Sequence, residues 1–370
     1  MTKTPIFVTR PFLPPLEEFL PYLEQIWDSR ILTNNGPFHQ ELEQKLCEYL
    51  EVPYISLFSN GTLALVTALQ ALNIKGEVIT TPFSFVATTH ALWWNNIQPV
   101  FIDIEPETFT LDPKKIEEAI TPKTTAILPV HVYGYPCKVE RIQEIAQKTG
   151  LKVIYDAAHT FGSKYKGRHL AGFGDLSILS FHATKVFNTF EGGAIVCHTA
   201  EMKEHIDNLK NFGFRGETTV VEPGINAKMN EFQAALGLLQ LQYLPNAIAG
   251  RASIFEAYHK GLQGIEGISL PAIPLSLEHN YAYYPVLIDG ERFGKGRDEV
   301  YEALKREDIY SRRYFYPLIS AFATYSDLPS ATAQNLQISH QIADRVLCLP
   351  IYPGLEGEIL EKIINVFQNK

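Results

Sequence analysis

Ser180 and Lys185 stand five residues apart in SFHATKVFNTFEGGAIV (180–196), at the point where a short apolar run gives way to a turn. A hydroxyl and an amine at such a junction can converge on one ligand. The turn Glu191-Gly192-Gly193 beside them permits close backbone approach. Taken alone, Lys185 reads equally as a solvated surface cation or as a reactive amine. Four further features sit at the ends of apolar runs. SNGT (59–62), with Gly61 and Thr62, separates a strand from a helix, and the free amides of a helix start suit a phosphate; it also reads as a plain N-cap by Thr62 or Ser59. Phe85, in TPFSFVATT, is either core or a ring that lies flat on a planar ligand. Asp156, in YDAAHTFGSKY, follows an apolar strand, where a shielded carboxylate needs a cation or hydrogen bonds; the alternative is a helix cap. His159 is either a structural histidine or a proton-handling one, and Asn226, in GINAKMNEFQAALG, is either an N-cap or a ligand contact.

The order of these features is what discriminates. A phosphate-type loop, an aromatic ring, an aspartate and a Ser-x4-Lys pair each follow a successive strand. Pyridoxal 5′-phosphate needs those parts: an amine for its covalent link, a carboxylate for its ring nitrogen, a planar group on its ring and donors for its phosphate.

The elements that must position these residues alternate from about residue 54. YISLFS, EVITTP, PVFIDI, TAILPVHV, KVIYDAA, SILSF and GGAIVCH read as strands. GTLALVTALQALN, SFVATTHALWWN, DPKKIEEAI and VERIQEIAQKTG read as the helices between them. Solidly apolar strands alternating with helices predict an α/β fold with a mostly parallel sheet, and ligands bind at its carboxyl edge. An N-terminal arm and two helices precede this region. MNEFQAALGLLQLQYL predicts a helix stopped near Pro245, followed by a second helix over AIAGRASIFEAYHKGLQG and a smaller α+β unit ending in EGEILEKIINVFQNK. A chain of 370 residues predicts two domains, placed here at 1–245 and 246–370.

The net charge of −9 argues against general affinity for nucleic acid or anionic membrane. No apolar run reaches the ~20 residues of a membrane span. The four cysteines form no CxxC pair and read as small buried hydrophobes. No metal site is expected, and the chain reads as cytoplasmic. No GxGxxG follows the first strand, which argues against the rival reading of a nicotinamide-binding Rossmann sheet.

SNGTLAL, TPFSFVAT, DAAHTFGSKYKG, SFHATKVFNTFEGGAIV and NAKMNEFQAALG, taken together, resemble the DegT/DnrJ/EryC1/StrS sugar aminotransferases over nearly the whole chain. The resemblance implies the aspartate-aminotransferase fold (fold type I). Within the group, LTNNGPFH, FSNGTLAL and SFHATK are most similar to enzymes that aminate C4 of dTDP-4-keto-6-deoxyglucose for O-antigen and lipopolysaccharide synthesis. It further implies that Lys185 carries the cofactor and shuttles the proton, and that Asp156 pairs with the ring nitrogen. Phe85 would stack on the ring, where many relatives have tryptophan or tyrosine. Gly61, Thr62 and Ser180 would hold the phosphate, and His159 would sit near the 3′-oxygen. Asn226 would reach the neighbouring subunit's phosphate, so the implied unit is a homodimer with shared sites. The implied amino donor is L-glutamate. Lys228, Arg215, Arg312, Arg313 and Tyr314 are candidates for the nucleotide-sugar, although each of these basic groups also reads as solvated surface. Other readings are amination at C3, a GDP-perosamine-type product, a cofactor-dependent dehydratase, and a catalytically silent member.

Overall fold

Seven apolar runs form one sheet in the computed structural model, which describes residues 5–355 and 357–368. The first four residues of the expected arm, and residues 356, 369 and 370 of the expected last helix, lie outside the described residues. The strands are β1 (Tyr54–Phe58), β2 (Glu77–Thr80), β3 (Gln98–Phe101), β4 (Thr124–Leu128), β5 (Lys152–Asp156), β6 (Leu176–Ser180) and β7 (Gly193–Cys197). Their order across the sheet is β1-β7-β6-β5-β4-β2-β3. β7 runs antiparallel to both its neighbours, and the other pairs are parallel. Ile55, Leu57, Leu179, Ala194 and Val196 join the core on one face, and Phe58, Leu176, Ile178, Ile195 and Cys197 join the core on the other. That is the two-residue period of strands covered on both sides.

This topology sets one edge. β5 ends on Asp156 and β6 on Ser180, while β7 begins there with Gly193, paired to Ser180 on one side and to Phe58 on the other. Residues 59–61 therefore leave β1 beside Ser180.

The longer helices are α1 (Leu16–Ser29), α2 (Pro37–Leu50), α3 (Gly61–Ala71), α4 (Ala87–Trp94), α5 (Val139–Thr149), α6 (Ala200–Leu209), α7 (Glu231–Leu262), α8 (Arg297–Arg306), α9 (Gln337–Arg345) and α10 (Gly357–Gln368). The run DPKKIEEAI gives only a 3-10 turn at Pro113–Lys115 and one further turn at Ile116–Ala119. A second sheet, β8 (Ile268–Ser269), β9 (Tyr284–Ile288) and β10 (Val346–Leu349), is antiparallel with β9 in the middle.

The expected break at Pro245 does not occur: α7 is one helix of 32 residues with the proline inside it. An interior proline costs about 3 kcal/mol. Packing on both sides offsets that cost. Ala234, Ala235, Leu238 and Leu244 lie in the core shared with the large sheet, and Ile254, Phe255, Tyr258 and Leu262 lie in the core of the small one. The N-cap is Asn230, in a reciprocal capping box with Gln233, and not Asn226.

β1 is anchored from behind by charge. The Glu43 carboxylate accepts from the Leu57 N–H (3.1 Å) and pairs with Lys203 (3.0 Å) and Lys210 (3.4 Å). Burial pushes this carboxyl up, but Lys210, the His39 hydrogen bond and Lys203 outweigh it and hold it far below the usual range. A depressed folded pKa contributes stability above the unfolded value and loses it as pH falls. Glu43→Gln leaves Asp207 as the one carboxylate paired with both Lys203 and Lys210 among the described residues, and is expected to cost about 2 kcal/mol in urea unfolding at neutral pH. Acid titration should narrow the gap to wild type.

Candidate active site

Gly193, Gly61 and Ser180 form a close stack. A Cβ on Gly193 would lie 2.6 Å from the Gly61 nitrogen and 2.7 Å from the Asn60 carbonyl carbon. One on Gly61 would lie 3.0 Å from the Ser180 Cβ and 3.3 Å from its Oγ. Glycine at both places is what lets the start of α3 reach the serine. The α3 cap is Asn60, whose side chain accepts the Leu63 N–H (2.9 Å); neither Ser59 nor Thr62 serves. The amides of Gly61 and Thr62 have no intrahelical acceptor and carry the positive end of the helix dipole. With the Ser180 hydroxyl they make an anion cradle that a side chain on Gly61 would fill.

Asp156 is buried on the next strand end. It is not a helix cap: Oδ1 accepts the Ala158 N–H (3.2 Å), and Oδ2 accepts the Thr88 hydroxyl (2.8 Å). Thr88 is itself bonded to Ser84 (2.8 Å), so the hydroxyl that α4 gives the carboxylate is backed by a second one. Burial raises the Asp156 pKa, against the pull of Thr88, the Ala158 amide and Lys185.

Lys185 ends the turn after β6, where its N–H donates to the His182 carbonyl (2.9 Å). Burial lowers its amine to about 8, and Asp156 opposes the fall. Below that value the amine is an ammonium, and above it a neutral base. In cofactor-free protein we expect Lys185 labelling by an amine reagent, read by site-resolved mass spectrometry, to rise through about pH 8, while exposed lysines follow at about 10.4.

His159 is buried, and its Nδ1 accepts the Tyr133 N–H (3.1 Å), so the neutral ring carries its proton on Nε2. Tyr133 makes this bond from a left-handed backbone (φ 56°), uncommon for a bulky residue. Burial, and then the Lys185 cation, hold the His159 pKa well below its ordinary value. The Tyr283 ring lies 4.7 Å from His159, and its hydroxyl 3.4 Å from the Lys185 Nζ. Tyr314 meets Tyr283 edge-on at 6.0 Å.

The other candidates spread outward. Phe85 precedes α4 and is 59% exposed. Asn226 is exposed and bridges Asn211. Lys228 donates to the Asn211 side chain (2.7 Å) and lies over the Phe212 ring (5.0 Å). Arg215 pairs with Glu204 (3.0 Å) on an exposed hairpin. Arg312 has an exposed side chain and a backbone bonded both ways to Cys348. Arg313 pairs with Asp298 (2.9 Å) and stacks over Tyr301 (4.8 Å). Thus Lys185, Asp156, His159, Ser180, Gly61 and Tyr314 share one edge, while Arg215 and Arg313 are engaged elsewhere in this chain.

Thr88 and Tyr283 went unnoticed in the sequence. Thr88 had a signal, the Ser84-x3-Thr88 spacing that puts both hydroxyls on one side of a helix start. Tyr283 had none, being one of three tyrosines in YAYY.

These groups fit pyridoxal phosphate: an anion cradle that a Cβ would obstruct, a shielded carboxylate, an amine of lowered basicity and an imidazole with Nε2–H free to donate. No group of three or more His, Cys, Asp or Glu among the described residues is arranged to hold a metal. No described helix is long and apolar enough to cross a membrane.

The chain is 54% identical over 367 residues to the dTDP-4-amino-4,6-dideoxy-D-glucose transaminase of Shigella dysenteriae, covering 99% of each chain. It is 53% identical over 373 residues to the protein of the same name from Escherichia coli, covering all of both. Among solved structures it superposes on DesI, crystallised in the presence of its TDP-sugar product, with a TM-score of 0.95 at 34% identity, covering 99% of this chain and 93% of the other. Residues 16–368 match the family to which the glycine cradle, the Asp156 strand end and the Lys185 turn also point, and the chain belongs to the DegT/DnrJ/EryC1/StrS aminotransferase family.

Proposed function

We propose that this protein transfers the amino group of L-glutamate to C4 of dTDP-4-keto-6-deoxyglucose, giving dTDP-4-amino-4,6-dideoxyglucose. The observation that carries the chemistry is the amine of Lys185 within electrostatic reach of a buried Asp156, on the sheet edge that also carries Ser180 and Gly61. The choice of sugar rests on full-length identity above one half with transaminases named for that product.

Aminotransferases of this family use pyridoxal 5′-phosphate. When bound, it supplies an electron sink for charge left on the amino-bearing carbon as a proton departs. Ser180 and the amides of Gly61 and Thr62 would hold its phosphate, and Phe85 would cover its ring. Asp156, fixed by Thr88 and the Ala158 amide, would keep the ring nitrogen protonated. His159 would donate from Nε2 toward the 3′-oxygen. Lys185 would provide the covalent link, and its Nζ, when free, would take the proton from the donor carbon and later give it back. Overall, glutamate would become 2-oxoglutarate and the keto sugar an amino sugar.

We further assign a second copy of the chain to each site. Phe212, Phe214, Val220, Val221 and Ile225 are exposed around Asn226 and Lys228, an apolar rim consistent with burial against a partner. The test is incubation with glutamate and dTDP-4-keto-6-deoxyglucose, or the GDP-linked 4-keto-6-deoxy sugar, with product analysis by mass spectrometry and NMR. The expected product is the dTDP-sugar with nitrogen on C4. Nitrogen on C3, preference for the GDP-sugar, or a nitrogen-free deoxy product each overturns the assignment.

A further inference from the structure

We propose that Tyr283 is a further catalytic residue, whose hydroxyl receives the Lys185 amine whenever that amine is free and orients it for proton transfer. The proposal rests on Lys185 being the reacting amine. Nζ lies 3.4 Å from the Tyr283 Oη and 6.0 Å from the ring centroid, so it sits off the hydroxyl end of the ring and not over its face. The same ring packs against His159. The phenol therefore faces both groups that handle protons at this edge.

Its placement is built. Tyr283 immediately precedes β9, at the end of a segment stapled to the loop that carries His159. Asn280 does the stapling. Its Nδ2 donates to the carbonyls of His159 (2.8 Å) and Phe161 (2.9 Å), its Oδ1 accepts the Ala282 N–H (3.1 Å), and its own N–H donates to the Ser163 hydroxyl (3.1 Å). From α7, Arg251 donates to the carbonyls of Ala282 (3.4 Å) and Ile351 (2.9 Å). Arg251 is 3% exposed, pairs with no carboxylate among the described residues, and has no acceptor for its Nε. A buried guanidinium without a counter-ion is costly. Here it holds the carbonyl directly before Tyr283 and places a fixed positive charge near the phenol. The groups facing Lys185 and Tyr283 are Asp156 from β5, His159 from the following loop, Tyr133 from the loop after β4, Arg251 from α7, Cys348 from β10, and Tyr314.

The proton passes from carbon to nitrogen, and the electron pair of the broken C–H bond stays with the donor carbon, where the bound cofactor would delocalise it. The donor carbon loses a proton, the Lys185 Nζ gains it, and the resulting ammonium donates to Oη until the proton is returned. Tyr283→Phe keeps the ring and removes that acceptor. Two readouts test it. In cofactor-free protein, the midpoint of Lys185 labelling against pH should fall by about half a unit or more, because hydrogen bonding to the charged form has been lost. In loaded protein, the single-turnover rate with glutamate should drop about 10-fold or more, with little change in glutamate affinity. Asn280→Ser loosens the segment but keeps the hydroxyl, and should move both readouts less in the same direction; it also serves if Tyr283→Phe is insoluble. An unchanged or raised midpoint, or an unchanged rate, overturns the role of Tyr283. Absence of a borohydride-stable adduct at Lys185 in wild-type protein overturns the functional assignment itself.

Discussion

Lys185→Ala abolishes transamination: turnover falls by roughly 10⁴-fold or more, since covalent attachment and proton transfer are lost together. Purified variant mixed with pyridoxal phosphate should give no borohydride-stable adduct at position 185 and lack the visible absorbance of the wild type. The fold should persist. The Lys185 side chain is partly buried and lowered in basicity by burial, so its charge is not a net source of stability. Circular dichroism and the urea midpoint of the cofactor-free protein should match wild type. Recovery of turnover by an added small primary amine would identify the missing function as proton transfer; wild-type turnover in the untreated variant sinks the assignment.

Asp156→Asn is the second large effect. The amide keeps the shape of the carboxylate and can still accept the Ala158 N–H, while its Nδ2 must donate to the Thr88 oxygen, whose own hydroxyl proton then turns to Ser84; it cannot hold a proton on a ring nitrogen by charge. Turnover should fall by about 10³-fold, the scale of removing one preorganised electrostatic partner. Stability should move the other way. Burial raises the Asp156 pKa in the folded chain above its ordinary value of 3.8. A group raised on folding binds more protons when folded, so its ionised form works against the fold at pH above the unfolded value. The cofactor-free variant should therefore unfold at equal or higher urea concentration than wild type at pH 7, with the difference vanishing near pH 3. Lower stability together with full turnover would contradict both halves of the argument.

The sheet was legible because its strands are apolar throughout: the seven runs named from the sequence are the seven strands of the large sheet. Asp156 and Ser180 could be placed at strand ends for the same reason. The helices were less legible where long-range packing competes with local rules. Pro245 signals a stop, yet the flanking Leu244 and Ala247 are buried, and the helix runs through. Pro21 is likewise interior to α1. The caps went to Asn60 and Asn230 and not to the neighbours named first, because Ser, Thr and Asn cap about equally well and only the backbone decides between adjacent ones. Tyr283 and Asn280 join the site from more than 90 positions downstream of Lys185, through contacts that no local pattern encodes.

Helix α7 has a consequence for how substrate enters. Its first turn holds the phosphate-side loops, with the Gln233 amide donating to the carbonyls of Ser59 (3.3 Å) and Glu191 (2.6 Å). Some five turns later Arg251 holds the carbonyl before Tyr283. At 1.5 Å per residue the element is a strut of about 48 Å. It ties the floor of the cleft to its opposite wall, so jaw-like opening requires bending a rod, and the cheapest place to bend is the turn where Pro245 already forgoes a hydrogen bond. Substrate entry is therefore expected to depend on side chains and hairpins at the rim more than on movement of this frame.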